Sequence, residues 1–104
     1  MSEITVRAFK DKINELTFAA YLGDRQVGRM ALTSLAFIHD MEIDASILQR
    51  KVADALLQFA SGYSKASGFS EAMMLVEEGN EAMQRYISAR STPEKPGKVY
   101  FIAL

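Results

Sequence analysis

No cysteine occurs in the 104 residues, which rules out disulfides and thiolate chemistry, and the single histidine, His39, leaves a structural zinc site nearly without ligands. Proline is scarce as well, with Pro93 and Pro96 both in the stretch STPEKPGK. Positive charge is not in excess. The 12 basic and 13 acidic side chains give a formal net charge of -1, which leaves no footprint for nucleic acid or an anionic membrane. No stretch reaches the roughly 18 uninterrupted apolar residues of a membrane span. The opening MSEITVRAF, with Glu3 and Arg7, lacks the positive start and apolar run of a signal peptide. A soluble, cytoplasmic protein is expected. No Gly-x-Ser-x-Gly elbow accompanies His39, so nothing points to a serine hydrolase.

What is present is hydrophobic and ordered. Hydrophobic residues make up 49% and charged ones 24%, which is the balance of a globular chain, and the length allows one domain over residues 1–104. The organising stretch runs from Ser46 to Phe69. Ile47 or Leu48, Lys51 or Val52, Ala55 with Leu56, Phe59, and Ala60 with Tyr63 recur at helical spacing. Asp44 or Ser46 can cap the start, Gln49 sits as in a capping box, and Gly68 can end the helix in the left-handed conformation.

Before that helix the pattern is that of strands. ITVRAF alternates, and Lys10 to Asn14 reads as a polar connection. LTFAAYL, the turn Gly23-Asp24-Arg25-Gln26 and VGRMALTSLAF predict a hairpin, with Gly28 marking a bulge or a close backbone approach. In FIHDMEID one parity holds Phe37, His39, Met41 and Ile43, and the other holds Ile38, Asp40, Glu42 and Asp44. After the helix, Ala72 to Val76 reads as a buried strand, with a helix as its competitor because Glu, Ala, Met and Leu are good helix formers. Asn80 caps a short helix, Ser91 to Lys98 forms a loop, and KVYFIAL closes on a strand tied into the sheet or a partner.

This order of elements resembles the Gcn5-related N-acetyltransferase superfamily, as a short member. The resemblance covers roughly residues 15–104 and is carried by the hairpin with Gly23, Val27 and Gly28, the long helix, and Val76, Asn80 and Tyr86. It implies an α/β fold: a small mixed, mainly antiparallel sheet with a long central helix and a short C-terminal helix. It also implies acetyl-coenzyme A along the strand Ile38 to Ile43, with Met41 and Ile43 beside it. The pyrophosphate would lie at the start of the long helix on Gln49, Arg50, Lys51, Val52 and Ala53, with Asn80 completing the cofactor site. Amide hydrogens and the helix dipole favour an anion there. Lys51 stands where the family carries a glycine, Asp54 adds negative charge nearby, and the interval from Asn80 to Tyr86 is one residue shorter than usual.

The catalytic candidates are Glu42, as base toward the acceptor amine with Asp40 and His39 behind it, and Tyr86, which the resemblance implies as general acid to a thiolate. The helices that wall the acceptor site in the family have only Lys10 to Glu15 in their place. Two functions of different class remain open. One is a minimal N-acetyltransferase acting with acetyl-coenzyme A on an unknown small or protein amine. The other is a non-catalytic interaction or inhibitor protein, such as a phage or accessory protein, that has lost the cofactor and works as a homodimer or on a protein partner.

Overall fold

Tight turns set the first half of the sheet. In the computed structural model, which describes residues 4–44, 49–77, 80–89, 92–93 and 99–104, with only the backbone of 11, 12, 92, 93 and 99, strand β1 (Ile4–Lys12) reverses at Ile13 and Asn14. Strand β2 (Glu15–Leu22) reverses at Gly23 and Asp24 into β3 (Arg25–Thr33), and a three-residue turn leads to β4 (Phe37–Ile43). Asn14 at φ 66° and Gly23 at φ 65° supply the positive φ that two-residue hairpin loops need. Residues Lys10 to Lys12, expected in a polar connection, instead extend β1, because Asn14 tolerates the left-handed conformation and closes the hairpin directly.

Helix α1 (Gln49–Ala66) then crosses to β5 (Glu71–Leu75), which runs parallel to β4. Helix α2 (Glu81–Ser88), the two-residue β6 (Thr92–Pro93) and β7 (Val99–Ala103) complete the described chain. The sheet order is β1-β2-β3-β4-β5-β7-β6, antiparallel at every junction except β4 with β5. The expected mixed, mainly antiparallel sheet with one long and one short helix is therefore present, and residues 71–75 are strand. β7 is tied to β5 along all five of its residues. Thr92 and Pro93, expected in a loop, pair with β7.

Helix α1 buries Val52, Ala53, Leu56, Leu57, Ala60 and Ser64. The five apolar ones meet Phe18, Ala20, Val27, Met30, Leu32, Ile38 and Met74 of the sheet in one core. The buried stripe is rotated from the expected one. Phe59 and Tyr63 lie at its flank, 42% and 40% exposed, with their ring centroids 5.7 and 5.3 Å from that of Phe18. The buried Ser64 hydroxyl donates to the carbonyl of Leu35, which ties the helix to the turn before β4. Gly68, at φ 97°, ends the helix as expected: its amide bonds the Lys65 carbonyl and that of Phe69 bonds the Ser64 carbonyl. Ile47, Leu48 and the proposed cap Ser46 lie outside the described residues.

Gly28 meets both expectations. Between Ala20 and Tyr21 the β2–β3 register shifts, leaving Val27 as the extra residue, and a Cβ on Gly28 would stand 2.7 Å from Val52 Cγ1. Strand β5 is covered on one face: Ala72 and Met74 are buried whereas Met73 and Leu75 are each 37% exposed. The face carrying Thr5, Arg7, Phe9, Arg29, Met73 and Leu75 has no described helix over it.

Candidate active site

The site arises where β4 and β5 part. They pair at only two positions, Phe37 with Met73 and Ile38 with Met74. Beyond Ile38 the two strand edges diverge and leave a cleft of about 450 Å³. On β4 the ladder to β3 breaks at the same level: His39 opposes Ala31 and Glu42 opposes Arg29, so Asp40 and Met41 together face Met30. This is a β-bulge, and Asp40 adopts φ 55° within it. The bulge overturns the simple parity expected for Phe37 to Asp44. Ile38 and Met41 are both buried, while His39 and Glu42 share the helix-free face.

Asp40, Met41, Glu42 and Ile43 line one wall of the cleft, and Met74, Leu75, Val76 and Glu77 line the other. Gln49, Arg50 and Ala53 of α1 and Asn80, Ala82, Met83 and Tyr86 close its top. Of the expected site residues, the cleft gathers Met41, Glu42, Ile43, Arg50, Ala53, Asn80 and Tyr86. It leaves out Lys51, which is exposed, and Val52, which is buried against Gly28. Helix geometry accounts for the division: Arg50 and Ala53 are three apart and share a stripe, whereas the two residues between them point elsewhere.

Asn80 caps α2 as expected, its side-chain oxygen accepting from the Met83 amide at 3.2 Å. Tyr86 donates its hydroxyl to Asp54 Oδ1, bridging α2 and α1 beside the cleft. Asp54, expected only as adverse charge, thus orients Tyr86. No local pattern joins two residues 32 apart in sequence, so this contact had no signal in the sequence. Among the charged lining residues, Arg50 stands against Asp40, Glu42 and Glu77. On the helix-free face His39 Nδ1 lies 2.9 Å from Asp40 Oδ2, and its Nε2 lies 2.7 Å from the Thr33 hydroxyl. Phe37 stacks on the imidazole with centroids 5.1 Å apart. Described His, Asp and Glu side chains form no cluster able to hold a metal ion.

No family model matches the chain, and no curated protein matches it in sequence. Solved structures do match in fold. A GCN5-related N-acetyltransferase from Rhodopseudomonas palustris superposes with a TM-score of 0.74 at 15% identity over 86% of this chain and 62% of its own. The PaiA N-acetyltransferase of Thermoplasma acidophilum, in complex with coenzyme A, gives 0.72 at 15% identity over 88% and 62%. The fold is that of the GCN5-related N-acetyltransferases. An aminoglycoside acetyltransferase from an uncultured soil metagenomic sample shares this acetyltransferase fold at a TM-score of 0.66, with 18% identity over 84% of this chain and 64% of that one. The chain spans less than two thirds of the length of these three proteins. None of the described helices is long and apolar enough to cross a membrane.

Proposed function

We propose that the chain is a minimal N-acetyltransferase that holds acetyl-coenzyme A in the β4–β5 cleft and acetylates a small or protein amine. The observation that carries this reading is the two-rung parallel pair opening beside the Asp40 bulge. Two diverging strand edges offer backbone donors and acceptors to an extended, amide-bearing chain, as an added strand would use them. Met41, Met74, Val76 and Met83 supply apolar walls for such an arm. Arg50, in the first turn of α1, suits a phosphate. The donor set thus fits the arm of the cofactor well and its phosphates through one cation. The complex of the Thermoplasma protein with coenzyme A supports the same assignment.

Bound there, the thioester would supply an acyl group activated toward an amine. The bulge leaves a residue of β4 outside the ladder, and an amide hydrogen freed at that point would stabilise charge on an acyl oxygen. Glu42, on the helix-free side, would take a proton from the acceptor's ammonium group. Tyr86, aimed by Asp54, would hold a proton for a departing thiolate.

Calorimetric titration of acetyl-coenzyme A into the protein tests the reading. Saturable binding is expected, weakened about tenfold or more by Arg50→Ala, the scale of one charge-assisted hydrogen bond. Absence of heat and of any thermal shift at millimolar ligand would overturn it. A second reading, a non-catalytic module acting through a protein partner, is favoured by three carboxylates against one guanidinium in the cleft. In sequence, ASIL before α1 also brings neither glycine nor cation, and Lys51 stands at the family's glycine position. The same titration separates the two.

A further inference from the structure

The described sheet ends at β1, whose outer edge has no partner strand. Such an edge presents a row of backbone donors and acceptors to another chain. Its far end is blunted by the register shift between Lys10 and Lys12, whereas the half from Ile4 to Ala8 carries no proline and no bulge. Beside that half runs a groove between β1 and α1, lined among others by Ile4, Val6, Ala55, Phe59, Gly62 and Tyr63. Among the described residues no charged side chain lines it. Among the described residues nothing lies within 4 Å of the position a Cβ on Gly62 would take.

We propose that two copies of this chain join edge to edge through β1, antiparallel about a two-fold axis centred on Val6. A two-fold perpendicular to the sheet keeps both α1 helices on one side and sets each residue opposite one of the same parity. Centred on Val6, Ile4 meets Ala8 of the second copy, Thr5 meets Arg7, and Val6 meets itself, so no like charges oppose. Moving the centre to Arg7 would set arginine against arginine, and moving it to Ala8 would drive Lys10 against Val6 at the apolar groove. Charge pattern disfavours both shifts, and centring on Thr5 would pair only Ile4 to Val6 of the described edge, so the axis on Val6 gives the longest of these registers without opposed like charges. In that register the branched side chains of the second copy complete the groove beside Phe59 and Tyr63, and the bare backbone at Gly62 leaves room for the facing α1. The proposal is independent of any catalytic role for the cleft.

Sedimentation equilibrium of the full chain, from micromolar to near-millimolar protein, tests it. A reversible dimer is expected, and a monomer throughout would overturn the proposal. Thr5 is exposed, so T5R folds normally and opposes Arg7 of the second copy twice across the axis. Dimerisation is expected to weaken about tenfold, given the cost of like charges on facing strands. T5R/R7E restores opposite charges and should recover the dimer; a double variant as weak as T5R would refute the register. Gly62→Arg has space within the protomer and should abolish dimerisation with helicity by circular dichroism unchanged. A fully dimeric Gly62→Arg protein would remove the groove from the interface.

Discussion

Gly28 lies directly under helix α1, with no room for a side chain. A methyl group there would meet Val52 Cγ1 at 2.7 Å, the Glu42 carbonyl oxygen at 3.2 Å and Leu56 Cδ1 at 3.3 Å. The first and last are fully buried side chains with little room to yield. Gly28→Ala is therefore expected to destabilise by about 1–3 kcal/mol, the usual cost of overpacking. Urea denaturation should show a lower midpoint with an unchanged slope. An unchanged midpoint would mean that α1 can lift off the sheet at this point. Because Glu42 and Ile43 lie on the strand facing Gly28, such a lift would also alter one wall of the cleft.

At the scale of elements, α2 has eight residues and buries only Ile87 fully, so its N-terminal cap matters more than in a long helix. Asn80 accepts the Met83 amide, while the Glu77 carbonyl receives the Asn80 amide and the Gln84 side chain. Asn80→Ala is expected to cost about 1 kcal/mol. The loss should be local, read as faster amide exchange in α2 with β2 and β3 unaffected. Protection lost equally everywhere would show that α2 unfolds with the whole. Much of this architecture was legible in the sequence: Gly23 and Gly28 marked the hairpin, Asn80 and Gly68 the helix ends, and the apolar run after Ser70 a strand, though not its parallel pairing. Three features escaped, and two of them are non-local. Left-handed Asn14 turned an expected connection into strand, and a bulge at Asp40 broke the alternation that would place Met41 with His39. The pairing of Tyr86 with Asp54 exists only once two helices meet.

Across the whole molecule, the sheet consists of two unequal blocks. β1 to β4 form a meander joined by short turns, whereas β5 and β7 attach to it through two parallel rungs and the packing of the helices. Local pairings form early and long-range parallel ones late, so the meander is expected to fold first. Native-state hydrogen exchange should then give β5 and β7 a lower opening free energy than β2 and β3. Equal protection in both blocks would refute this. The two-rung seam has a thermodynamic consequence of its own. A ligand that bonds both diverging edges would forbid the partial opening and leave only complete unfolding. Filling the cleft should therefore sharpen the denaturation curve as well as shift it, with the two blocks melting as one.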